Sequence, residues 1–191
     1  MIYDLVVKNR SYRRFYQEKY VTADTLEQLI NLARLSASGG NKQPLKYLLA
    51  NTPEKNSLIF DCLAWAAYLK DWNGPPEGER PAAYLVVLND TAISSPTLGI
   101  DVGIACQSIL LGASELGLGG CILASVNKNK LKALLGIPER YEIMVVIALG
   151  TPREKVVLKE VIKDDIKYWR DSEGVHYVPK RTLAEIILTD F

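Results

Sequence analysis

Two apolar runs constrain this chain most: AYLVVL (83–88) and EIMVVIALG (142–150). Each has the length of a strand and neither alternates with polar residues, so both predict strands covered on both faces. The cover has to come from helices. Residues 97–116 are apolar nearly all round, which predicts a long, central, buried helix. Leu26, Leu29, Ile30 and Ala33 fall at helical spacing, and either Thr22 or Asp24 can cap that helix, with Glu27 placed for a capping box on Asp24. Shorter helices are expected at 2–8 and 54–69, and another follows Asn127 and ends at Gly136 and Pro138. KYLLA (46–50) and CILASV (121–126) read as further strands. Helices and strands mix without the strict alternation of a doubly wound sheet, so the class is α+β.

At 191 residues the chain has room for one domain, taken as 1–191, and it shows no internal repeat. Lys and Arg total 23 against 22 for Asp and Glu, a formal charge of +1. That balance gives no ground for binding nucleic acid or an anionic membrane, so any anion site must be local. The apolar stretch 98–126 is broken by Asp101, Gln107, Ser108, Ser114, Glu115 and several glycines, which makes it a poor membrane span. MIYDLVVKNR lacks the basic start and apolar core of a signal peptide. Cys62, Cys106 and Cys121 lack the paired spacing of a zinc site or a disulfide framework, in keeping with a reducing cytoplasm. A single histidine, His176, leaves no scope for a histidine-rich metal site and little for a catalytic triad. It carries no assigned role.

Positive charge is concentrated in KNRSYRRF (8–15). Two readings stand: a solvated helix end favoured by the dipole, or an anion cradle of Arg forks and a Ser hydroxyl. SASGGNKQP (36–44) ends the second helix in a loop, and NGPPEGERP (73–81) is a proline-rich surface excursion long enough to suggest a function. Beyond TPRE the sequence is polar for some thirty residues before the amphipathic TLAEIIL (182–188). A tail with little core of its own, beside a buried long helix, suggests an arm that embraces a second subunit.

The order of these segments resembles the nitroreductase family, over essentially the whole chain. The resemblance rests on RSYRRF (10–15), SGGNKQP (38–44), Asp101-Val102-Gly103 with Gln107, GLGGC (117–121), ALGTP (148–152) and PKR (179–181). It implies a central, mostly antiparallel sheet flanked by helices and an intertwined homodimer with an extended C-terminal arm. It also implies FMN as cofactor, with NADH or NADPH as transient donor and a small electron-poor acceptor such as a nitroaromatic or a quinone, in a ping-pong mechanism. Two alternatives accompany that activity: a relative acting on one dedicated metabolite, and a module that holds FMN without turnover.

By the same resemblance, Arg10 and Ser11 hold the FMN phosphate, and Arg13 reaches the pyrimidine edge and tunes the ring. Lys180 and Arg181 close over the phosphate. Ser38, Asn41 and Gln43 come from the partner subunit, and backbone groups at Ala124 and Ser125 face the central ring. No side chain is assigned as a catalytic acid or base. Asp101 and Gln107 are expected to be structural, Arg14 to be solvated, and Trp65, Tyr68 and Trp72 to form a core or interface cluster. Two departures are Asn9, where many relatives carry a further arginine, and Leu45, where the family often has tryptophan.

Overall fold

The chain is described here by a computed structural model, which defines residues 1–188. Four strands form the central sheet: β1 (Leu45–Ala50), β2 (Ala83–Asp90), β3 (Gly119–Leu123) and β4 (Tyr141–Gly150). Their order is β1-β2-β4-β3, and every neighbouring pair is antiparallel. The two apolar runs therefore sit in the middle, paired Leu85 to Ile147 and Val86 to Val146. Their side chains alternate between two cores. Leu85, Val87, Ile147 and Leu149 face one layer, while Tyr84, Val86, Val146 and Ala148 face the other.

The first layer is α2 (Ala23–Leu35) and α4 (Leu98–Glu115). Thr22 caps α2, its hydroxyl accepting from the backbone N–H of Thr25 at 3.1 Å. The second layer holds α3 (Pro53–Phe60) and α5 (Lys128–Leu134), the latter capped by Asn127. The short α1 (Ile2–Lys8) leans on α4. The α+β class and the antiparallel sheet match the sequence reading.

Three details differ. The helix expected over 54–69 stops at Phe60, because the chain beyond it bonds to the end of β3: Leu63 bridges Val126, and the N–H of Ala64 donates to Ser125 O at 2.9 Å. Ala66 then takes φ +39°, outside helical space. The strand read as 121–126 is shifted to Gly119–Leu123, leaving Ala124 and Ser125 just past its end. And α4 is covered on one face only; Ile100 is 63% exposed, and Gly103 and Gln107 also lie open. Among the described residues α4 is the one helix long and apolar enough to cross a membrane, and the packed face accounts for half of it.

The polar tail is more ordered than its composition suggests. β5 (Val156–Glu160), β6 (Trp169–Arg170) and β7 (His176–Lys180) make a second sheet of order β5-β7-β6, followed by α6 (Leu183–Ile186). The one buried residue of its strands is His176.

Candidate functional site

The basic segment 9–16 is threaded along the sheet rather than left at a helix end. Ser11 bridges Gly120, the N–H of Tyr12 donates to Gly120 O at 3.0 Å, Phe15 bridges Pro152, and the N–H of Tyr16 donates to Thr151 O at 2.9 Å. Gly119 permits this approach, because a Cβ there would lie 2.4 Å from the Tyr12 ring; at Gly120 a Cβ would instead meet Ala148 O of β4 at 2.6 Å, so that glycine serves the packing of the sheet itself.

Threading sorts the arginines. Arg14 turns to the 73–81 loop, where both oxygens of Glu79 bind it, one contact being 2.7 Å. The expectation of a solvated Arg14 is thus corrected: it is a partly buried structural ion pair, and the pairing pulls Glu79 below the usual carboxylate range. Arg10 and Arg13 turn the other way. With Ser11 and Lys180 they line a cavity of about 280 Å³, along with Gln107, Tyr168, His176 and the apolar Leu110, Ile122 and Val178.

Three cations and no carboxylate line this cavity. In a chain of net charge +1 that is a strong local bias, and its donors suit an anion. Arg10 makes one side-chain hydrogen bond among the described residues, to Val6 O at 2.5 Å, and its Nε is buried without a partner. Burial lowers its pKa, a cost that an anion would offset. The Ser11 side is exposed, and Gln107 lines the cavity from α4 rather than serving the fold as expected.

Arg13 is the buried member, 9% exposed. Its Nη1 donates to Ser11 O at 3.2 Å and lies 3.3 Å from His176 Nε2, while its guanidinium carbon stands 4.7 Å from the centre of the Tyr168 ring. Glu154, whose carboxylate is fully buried, accepts from the backbone N–H groups of Arg13 and Arg14 and from Arg170 Nη2 at 2.8 Å. Burial and the nearby Arg13 and Arg170 charges push His176 down to about 4.

The other candidates lie apart from this cluster within one chain. Ser38, Gln43 and Asp101 line a second cavity of about 180 Å³. There the Ser38 hydroxyl donates to Asp101 at 2.9 Å and accepts from the Gln43 N–H at 3.0 Å, and Gly39 N–H donates to the other Asp101 oxygen at 2.9 Å. Asp101 is structural, as expected, and it spends the Ser38 proton on loop geometry. Asn41 and Gln43 take φ +53° and +51° and are exposed. Ala124 and Ser125 are exposed beyond β3. Arg181 is half exposed and paired with Asp164 at 2.8 Å and Glu185 at 3.3 Å. Trp65 is buried against Trp72, whereas Tyr68 is exposed and lies 4.9 Å from Tyr168, ring centre to ring centre.

Glu154, Tyr168 and His176 escaped the sequence reading. An isolated acid or histidine in a polar stretch gives no signal of burial.

The nitroreductase family model matches residues 6–151. The chain is 26% identical over 149 residues to a protein of Archaeoglobus fulgidus provisionally named an NADH dehydrogenase/NAD(P)H nitroreductase, covering 74% of this chain and 80% of that one. It is also 26% identical over 182 residues to an iodotyrosine deiodinase of Thermotoga neapolitana, covering 85% and 96%. Its fold is that of a nitroreductase family protein from Clostridium novyi NT, with a TM-score of 0.67 at 23% identity over 97% of this chain and 98% of the other. An FMN-dependent nitroreductase from Clostridium difficile R20291 gives 0.65 at 20% identity over 88% and 97%. With a matched segment that spans most of the sheet and the whole basic strand edge, the chain belongs to the nitroreductase family.

Proposed function

We propose that this protein is an FMN-dependent oxidoreductase that takes hydride from NADH or NADPH and reduces a small electron-poor acceptor, a nitroaromatic or a quinone. The observation that carries this reading is the cavity walled by Arg10, Arg13 and Lys180 with no acid among its lining residues. The names of the A. fulgidus and C. difficile relatives support the donor and the cofactor.

In this reading Arg10, the Ser11 hydroxyl and Lys180 bind the FMN phosphate through charge-assisted hydrogen bonds. Arg181, next in the chain, joins them only by giving up its pairing with Asp164. Arg13 sets a positive charge beside the pyrimidine edge of the flavin, where added electron density is stabilised. The carbonyls of Ala124 and Ser125 already accept from Val126 N–H and Ala64 N–H, so it is the backbone N–H groups of these two exposed residues that would orient the central ring, beside the apolar Ile122 of the cavity lining. When bound, FMN supplies the two-electron chemistry, taking hydride from the nicotinamide and delivering it to the acceptor. One face would serve both substrates in turn, hence ping-pong kinetics, and solvent can supply protons without a side-chain acid.

One nitroreductase-like domain spans the chain, and two copies make the working unit. The open face of α4, with Ile100, and the exposed Leu183, Ile186 and Ile187 of the tail supply apolar surface for a partner. The partner's 38–43 loop then completes each site, which accounts for Ser38, Asn41 and Gln43 lying away from Arg10 and Arg13 within one chain. Three buried free cysteines, their thiols pushed up by burial, Cys106 to about 11, suit a cytoplasmic protein. The deiodinase relative, aligned over nearly its full length, favours a second reading in which the acceptor is one dedicated metabolite.

The test is to mix purified protein with FMN, remove free flavin, and reduce the product anaerobically with NADH and then NADPH before screening acceptors. Expected are flavin absorbance that stays with a dimer, and bleaching by one or both nucleotides. A protein that retains no flavin overturns the reading.

A further inference from the structure

Within the cavity wall, Arg13, Tyr168 and His176 form one packed unit. The Tyr168 ring lies 5.3 Å from the His176 ring, centre to centre, and under the Arg13 guanidinium. Arginine carries donors only, so in the 3.3 Å contact between Nη1 and Nε2 the imidazole must accept. That places the ring proton on Nδ1 and makes the ring neutral.

The groups facing His176 hold it so. Arg13 stands on one side and Arg170 of β6 on another, with the Tyr168 ring alongside, and Cys121 of β3 lies near Arg13, its thiol pushed up by burial. The nearby acid, Glu154, already has both oxygens occupied by Arg13 N–H, Arg14 N–H and Arg170. Among the described residues no acid is left to balance an imidazolium. The lowered pKa, about 4, agrees with that geometry.

The choice of acceptor has a consequence for charge. A carboxylate on the Arg13 guanidinium would fix its direction but cancel its field, whereas a neutral imidazole fixes the direction and leaves the charge whole. Glu154 accordingly grips the backbone of Arg13 and not its guanidinium. We infer that His176 is the positioning residue for Arg13, a neutral acceptor that aims an uncancelled positive charge into the cavity. Its bearing on the flavin rests on the function proposed above, but the His176–Arg13 pairing does not.

The two parts separate experimentally. His176 is the chain's one histidine, so its ¹⁵N imidazole resonances need no assignment. In flavin-free wild-type protein they should show a neutral Nδ1–H tautomer from pH 8 down to 5. Arg13→Met should shift the Nε2 resonance and raise the ring's pKa. A ring charged at pH 6, an Nε2–H tautomer, or resonances unmoved by Arg13→Met would overturn the pairing, whatever the protein does with flavin. In FMN-loaded protein, His176→Phe should cost about tenfold in the preference for reduced over oxidised flavin, about 30 mV for a two-electron couple. His176→Gln, whose amide oxygen can accept from Arg13, should recover most of it. In the Arg13→Met background His176→Phe should add nothing. An equal loss in both backgrounds would overturn the claim that His176 acts through Arg13, and failure of wild-type protein to bind FMN would instead count against the proposed function.

Discussion

The two sheets are held together by different forces. All eight residues of β2 are buried, and its partners across the sheet are apolar over most of their length. That sheet is fixed by the hydrophobic effect, which carries no titrating group and so is little altered by pH. The C-terminal sheet buries one strand residue, and it is a histidine. Its order comes from directed polar contacts: Tyr177 hydroxyl to Asp171 at 3.0 Å, Val175 N–H to the same carboxylate at 2.9 Å, and Arg170 to Glu154. The contrast teaches a division of labour. The apolar sheet supplies a rigid edge at Gly119 and Gly120, and the polar sheet delivers His176 and Lys180 to the arginines laid along that edge.

The largest effect that could break this comparison is expected at Glu154. Its buried carboxylate serves Arg13 N–H, Arg14 N–H and Arg170, so Glu154→Ala leaves a largely buried guanidinium and two backbone donors without an acceptor. Breaking a buried pair in this way costs about 3–5 kcal/mol. Ile147→Val, in the middle of the apolar sheet, should cost about 0.5–1.5 kcal/mol. Urea denaturation measures both. If Glu154→Ala proves no worse than Ile147→Val, the polar sheet is not held as described.

Acid should act next. Folding lowers His176 from its ordinary 6.5 to about 4, so between those values the unfolded chain takes up a proton that the folded chain refuses. The contribution is whole above pH 6.5 and is lost as pH falls toward 4, a difference of about 3 kcal/mol. Glu79, held low first by its hydrogen bond to Arg14, loses its contribution only as pH falls through and below the ordinary carboxylate range. The window above pH 4.5 therefore belongs to the one histidine. Stability measured from pH 7 to 4.5 should fall in wild type and stay flat in His176→Gln; parallel curves would place His176 in contact with solvent.

The same contrast explains what could be read from sequence. Uniform apolar runs have few ways to be satisfied, so the central strands and the α2 and α4 helices were legible from residue type alone. Residues 61–69 carry helix-like apolar spacing, but their backbone groups find partners at the end of β3, a long-range choice invisible locally. Arg14 and Glu154 illustrate the harder case. Charged residues in polar segments look solvated, and only the fold brings Arg14 to Glu79 and Glu154 to the backbone beside it. Family resemblance gave Arg10, Ser11 and Arg13 separate roles and left Arg14 to solvent; the threading along Gly119 and Gly120 puts Arg10 and Arg13 in one cavity wall and sends Arg14 to Glu79.

That direction can be tested by comparing Arg10 with Arg14. Arg10→Ala removes a donor from the cavity wall and should weaken FMN binding by about 1.5–3 kcal/mol, roughly ten- to a hundredfold. Arg14→Ala should leave FMN affinity near wild type and lower the denaturation midpoint, because its work is to hold Glu79 and the 73–81 loop. Equal losses of affinity, measured by flavin fluorescence titration, would mean that the two arginines are not sorted as they lie.

The smallest expected effect concerns Arg13, and it sharpens the division between binding and tuning. Arg13→Gln keeps a donor toward His176 Nε2 and Ser11 O but removes the charge. With FMN saturating, hydrogen bonding near the pyrimidine edge would persist and only the field would change. A positive charge beside the ring favours the form that carries the added electrons, so its loss should lower the midpoint potential. About 30 mV corresponds to roughly 1.4 kcal/mol in a two-electron couple, and a shift of that order should appear with a slower reductive half-reaction. Spectroelectrochemistry of the loaded variant reads the potential directly. An unchanged potential would put the Arg13 guanidinium out of reach of the ring and leave His176 aiming a charge that serves binding alone.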